Sequence, residues 1–126
     1  KALRDGDDEL ATQVAFCGAL ERNLLLLEFM ETVMRDAYIS QAQYLDSYIW
    51  SDFLDERSQR DPDICEWKES SKKKMGQVVF RMLAEVGYLK STRKLELQRV
   101  IIRAELRMLL EEHYKQRIKK SMEVSV

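Results

Sequence analysis

The run SSKKKMGQVVFRMLAEVGYL, residues 70–89, reads as one amphipathic helix around which the rest of the chain can be arranged. Met75, Val78, Val79, Met82, Leu83 and Val86 recur at the i, i+3, i+4, i+7 spacing that gathers apolar side chains into a stripe, so that face is expected to be buried. Opposite the stripe fall Lys73, Gln77, Arg81 and Ala84, with Lys74 and Phe80 on the shoulders. Ser70 or Ser71 can cap the start, and Gly87 stands where a helix end needs a residue tolerant of positive φ.

Lys72, Lys73 and Lys74 break a local rule. The first turn of a helix carries partial positive charge and unpaired N–H groups, so exposed cations there cost about 0.3–1 kcal/mol each. A phosphate backbone, attracted by both lysines and a helix N-terminus, would account for them. Solvation of a charged face is the plainer account and the commoner one.

Working outward, 126 residues suffice for one hydrophobic core without disulfide staples. A charged fraction of 34%, an apolar fraction of 45% and a single proline describe a helix-rich chain, expected to be a single domain over residues 1–126. No run approaches the roughly 20 apolar residues of a membrane span. No signal peptide is visible, and the expected location is cytoplasmic. Cys17 and Cys65 fit no metal-ligand spacing, so both are expected as reduced, buried thiols, with a single disulfide left open. The near-zero net charge hides a dipole: residues 1–63 carry 6 basic and 14 acidic side chains and residues 64–126 carry 15 and 8, net −8 and +7. Such asymmetry points to an anionic partner, or to attraction between the acidic part, residues 1–60, and the basic part, residues 61–126.

Residues 1–6 read as the end of one element and a turn, with Asp7 or Asp8 capping a helix over 9–22. A second helix follows over 24–38 after a bend at Asn23. Ile49, Trp50, Phe53 and Leu54 supply the apolar face of a third, which stops before Pro62. Trp67 is expected on the core. After Gly87 comes the basic KSTRK, residues 90–94, then alternation of Leu95 and Leu97 with Glu96 and Gln98, which suggests a short β-hairpin tipped by Lys90, Arg93 and Lys94. A helix followed by a basic-tipped hairpin is the order of a winged helix-turn-helix. Residues 103–120 return to helix with Leu106, Leu109, Leu110, His113, Tyr114 and Ile118 as a buried stripe, and residues 121–126 are expected to fray. The expected fold is therefore all-α, a helical bundle with winged helix-turn-helix character and a short β-hairpin.

Residues 52–89, DFLDERSQRDPDICEWKESSKKKMGQVVFRMLAEVGYL, resemble the BrxA family of BREX phage-exclusion systems. The matching features are Asp52 and Phe53 opening a helix, Pro62 in an acidic loop, the hydroxyl and lysines of Ser71 to Lys74, and the run QVVFRMLAEVGYL. The start KALRDGDDEL and the two apolar helices after it are similar to the middle of that family. The resemblance thus covers nearly the whole chain, as the C-terminal two thirds of a member whose N-terminal helical region is absent. Asp61 stands where the family commonly has histidine, and Ser71 where it has threonine. The resemblance implies a helical protein with winged-helix character that binds double-stranded DNA beside a methyltransferase, an ATPase and other defence components.

For catalysis the chain offers little. His113 is the only histidine, and no glycine-rich phosphate loop, cysteine cluster or serine–histidine pair is present. Asp52, Asp55 and Asp61 fall on faces expected to be solvated. The expectation is a non-catalytic protein without metal or cofactor. Double-stranded DNA is the expected partner, bound with little sequence preference: Lys72, Lys73 and Lys74 on phosphates, Gln77 and Arg81 toward a groove, Lys90, Arg93 and Lys94 on the neighbouring backbone. Two other readings stay open, an adaptor for other proteins that docks a basic partner on Asp5, Asp7, Asp8 and Glu9, and an RNA-binding helical domain.

Overall fold

A bend at Asn23 sets the architecture. The Asn23 side chain accepts from the Leu26 amide and starts a new helix at 107° to the one before it, so two apolar rods cross rather than continue. In this computed structural model, residues 2–113 and 115–125 are described, with side chains from Asp8 onward. The first rod is α1, Ala2–Arg22. The second joins α2, Leu24–Phe29, through a π-helical turn, Met30–Met34, to α3, Arg35–Ile39. Then follow α4, Ile49–Ser58; α5, Pro62–Cys65; α6, Glu69–Val86; α7, Ala104–Glu112; and α8, Gln116–Met122.

The central core gathers where α1, the second rod, α4 and α6 meet. Phe29 stands edge-on to Trp50 and Phe53, with ring centroids 5.3 and 5.2 Å apart, and α6 contributes Val79 and Leu83. Arg57 ties α4 to α2 by an ion pair with Glu28 and lies 5.2 Å over the Phe53 ring. Asp61 caps α5 by accepting from the Asp63 amide, and Pro62 occupies the first helical position, where it forfeits no internal hydrogen bond.

Several expectations change. α1 runs through Gly6 without the expected turn. α6 begins at Glu69, and its cap residue, Lys68, makes no side-chain hydrogen bond, so neither Ser70 nor Ser71 caps it. The Gly87 end is as expected: φ is 112° and its amide bonds back to the Leu83 carbonyl. The buried side of α6 centres on Gly76, Val79 and Leu83, turned by about 60° from the apolar stripe at 100° per residue. Val78 is consequently 41% exposed and Met75, Met82 and Val86 are half-buried. Trp50 causes the turn, because its ring occupies the space above Gly76 and draws that position to the core.

The β-hairpin does not form. Among the described residues there is no strand, only isolated bridges of Leu89 with Leu97 and of Glu96 with Tyr44. Residues 95–97 divide their hydrogen bonds: Lys90 donates to Glu96, while Leu45 donates to Leu95 and Leu97 donates to Gln43. An extended chain serving two neighbours shows period-two alternation without a ladder, and without its wing the winged-helix reading is not supported. The final helix also divides in two, α7 ending at Glu112 and α8 starting at Gln116: Leu106 and Leu110 are buried, whereas Leu109 and His113 are exposed and Tyr114 lies outside the described residues. Nor does the C-terminal segment fray over residues 121–125. Met122 is fully buried, its carbonyl accepts from the Tyr88 hydroxyl, and Ser125 bonds both backbone groups of Val100; Val126 lies outside the described residues. Cys17 is buried and Cys65 exposed, both as free thiols.

Candidate nucleic-acid interface

Charge pairing divides the basic half in two. From α7, α8 and the link between them, Arg107 and Lys119 meet Glu123 while Lys115 and Arg117 reach across to Glu21 and Glu31 on the acidic half. Arg117 takes both carboxylate oxygens of Glu31 at 2.8 Å, and the hydrogen bonds from Arg117 and Lys115 hold the Glu31 and Glu21 carboxyls below their ordinary range. The attraction between halves read from the charge dipole therefore exists, and these carboxylates consume Arg107, Lys115, Arg117 and Lys119.

The cations of α6 are left out of it. Lys73, Lys74, Gln77 and Arg81 are all exposed on the side facing away from the core, and among the described residues no carboxylate pairs with Lys73, Lys74 or Arg81. Lys72 differs. Its side chain is 15% exposed and its ammonium lies 3.4 Å from Glu69, one turn back, so it is partly spent before any ligand arrives. Its carbonyl meanwhile accepts from Trp50 Nε1 at 3.0 Å, which pins the first turn of α6 to α4. The lysine run is thus held by a buried indole rather than by a cap.

Beyond the left-handed turn at Gly87, the loop of residues 90–94 exposes Lys90, Arg93 and Lys94. Lys90 lies 3.9 Å from Glu96, and the Ser91 hydroxyl accepts from the Lys94 amide to close the tip. Along the helix axis the end of α6 at Val86 stands roughly 18 Å from Lys74, given 1.5 Å of rise per residue, and the loop follows that end. The predicted set is therefore one cationic face with a separate cationic loop past its far end.

A groove of about 540 Å³ opens between α4 and α6. The indole of Trp50 and the bare Cα of Gly76 border it, with Phe80 beyond; Lys73 and Gln77 stand on the α6 side, and Ser47, Tyr48 and Ser51 on the α4 side. Tyr48 is 70% exposed. Sequence reading misses the last three, since they lie at and before the start of α4 where no periodicity marks them.

The BrxA family model matches residues 1–114. The chain belongs to the BrxA family. It is 31% identical over 124 residues to "BREX protein BrxA" of Paramagnetospirillum magneticum, covering 98% of this chain and 62% of that protein. It is 24% identical over 91 residues to "BREX protein BrxA" of Bacillus cereus, covering 72% and 46%. Among solved structures it is similar to an uncharacterized protein from Magnetospirillum magneticum, with a TM-score of 0.86, 30% identity, and coverage of 97% of this chain and 64% of that one. The chain thus spans about three fifths of the first BrxA relative's length. With the family model matched from residue 1, the expectation that an N-terminal BrxA region is absent has no support.

Proposed function

We propose that this chain is a non-catalytic component of a BREX phage-defence system that binds double-stranded DNA through the outward face of α6. The relatives' names supply the BREX setting. One observation favours DNA: Lys73, Lys74 and Arg81 stand exposed along one helix with no carboxylate partner among the described residues, whereas Arg107, Lys115, Arg117 and Lys119 of the C-terminal segment are all paired. A helix face carrying three free cations over about two turns matches a charged backbone and costs no ion pair to engage. Arg93 and Lys94, also unpaired, extend the track beyond Gly87. Lysine-dominated contact of this kind binds with low sequence specificity.

The test is a titration of duplex DNA and duplex RNA at two salt concentrations with the wild type and a K73E/K74E/R81E variant. DNA affinity should fall steeply with salt and collapse in the variant. Unchanged retention in the variant would instead favour the protein-adaptor reading, and preferential binding of duplex RNA would favour the RNA one.

A further inference from the structure

The groove between α4 and α6 has the chemistry of a nucleotide site. Its volume of about 540 Å³ falls in the range of roughly 300–1,000 Å³ that small-molecule sites occupy. Its floor is rigid: Trp50 is buried and hydrogen-bonded to the Lys72 carbonyl. Its mouth carries the ring of Tyr48, the most exposed aromatic among the described residues, while the Tyr48 amide is held by the Asp46 carboxylate at 2.8 Å.

The polar groups on its walls are unspent. Among the described residues Ser47, Ser51, Ser70 and Gln77 make no side-chain hydrogen bond, as is also true of Ser71 outside the groove, whereas Ser40, Ser58, Ser91, Ser121 and Ser125 do. Lys73 adds a free ammonium, and the one carboxylate on the rim, Glu69, is already matched by Lys72. An aromatic face, a free amide, three free hydroxyls and one free cation suit a flat, hydrogen-bonding ring attached to a phosphate.

We propose that this groove receives one unstacked nucleotide of the bound DNA, with its base against Tyr48, its base edge on Gln77 and the serine hydroxyls, and its phosphate on Lys73. The inference rests on the DNA reading above, since the α6 face is what brings the strand to the groove. Extruding a paired base is costly and accepting an unpaired one is not, so the site favours DNA carrying a bulged base over a flush duplex.

Fluorescence anisotropy with the purified protein tests it, using a flush duplex and the same duplex with one bulged 2-aminopurine. The bulged probe should bind about tenfold tighter, a difference of about 1.4 kcal/mol, with its emission quenched. Y48F should keep the preference. Y48A should lose it while holding the flush duplex as well as the wild type. Equal affinity for the two probes, or a preference that survives in Y48A, overturns the proposal and leaves duplex binding standing. If neither probe binds, the DNA reading fails, and titration with thymidine monophosphate followed by amide chemical shifts decides the groove. Shifts confined to Ser51, Gln77 and their neighbours uphold it as a nucleotide site; their absence overturns it.

Discussion

A Cβ placed on Gly76 would stand 2.6 Å from Cδ1 of Trp50. The ring cannot retreat easily, because it is buried and its Nε1 is committed to the Lys72 carbonyl. Glycine inside α6 therefore serves close approach of α4, and that approach fixes where Lys73 and Gln77 sit relative to Tyr48.

Gly76→Ala should consequently destabilise the protein despite alanine's better helix propensity. The propensity gain is about 1 kcal/mol, against overpacking that costs about 1–3 kcal/mol. Thermal unfolding followed by circular dichroism should show a lower Tm; a raised Tm would mean that the indole swings aside at little cost.

The two neighbours Lys72 and Lys74 should behave differently toward DNA. Lys74 is free, so Lys74→Ala should reduce the salt slope of log affinity by about 0.9. Lys72 is paired with Glu69 and partly covered, so Lys72→Ala should leave the slope nearly unchanged. Equal slopes for both variants, measured by anisotropy across a salt series, would remove the distinction.

Acid should loosen the contact between the halves. The hydrogen bonds from Lys115 and Arg117 depress the carboxyls of Glu21 and Glu31, so both folded pKa values lie below the unfolded ones. Their contribution is complete above the unfolded carboxylate pKa of about 4.3 and is lost as pH falls through the folded values. Both pairs are partly exposed, so the effect is modest. In Glu31→Gln, the drop in Tm between neutral pH and pH about 3, set by carboxylate titration, should be smaller than in the wild type.

Ser125 closes the C-terminal segment onto the loop before α7, accepting from the Val100 amide and donating to its carbonyl. Ser125→Ala leaves both buried backbone groups without that partner, and chemical denaturation should report a loss of about 1–3 kcal/mol. A loss near zero would show that this segment contributes nothing to stability.

Much of this was legible from residue order. Gly87 ends α6 because positive φ is cheap only for glycine, Asn23 starts a new helix because its side chain can cap one, and Pro62 marks a boundary because it lacks an N–H. The outward placement of Lys73, Gln77 and Arg81 followed from the 3.6-residue repeat alone, whereas Lys74, read as a shoulder position, is exposed with them. Leu95 and Leu97 misled because alternation reports an extended chain with one side inward and says nothing of what lies beside it.

Local order and helical periodicity are properties of near neighbours, so the chain by itself determined the bend at Asn23, the boundaries at Pro62 and Gly87 and the exposure of the α6 cations. Only the tertiary structure decided how far α6 turns about its axis, because that angle is set by Trp50, 26 positions away from Gly76 in sequence. It alone also decided which cations stay free. Arg117 and Lys73 are equally charged in the sequence, yet one is brought against Glu31, 86 positions distant, and the other is left facing solvent. A charge is available to a ligand only when the fold has not already given it a partner, and partners that far apart in the chain are chosen by packing.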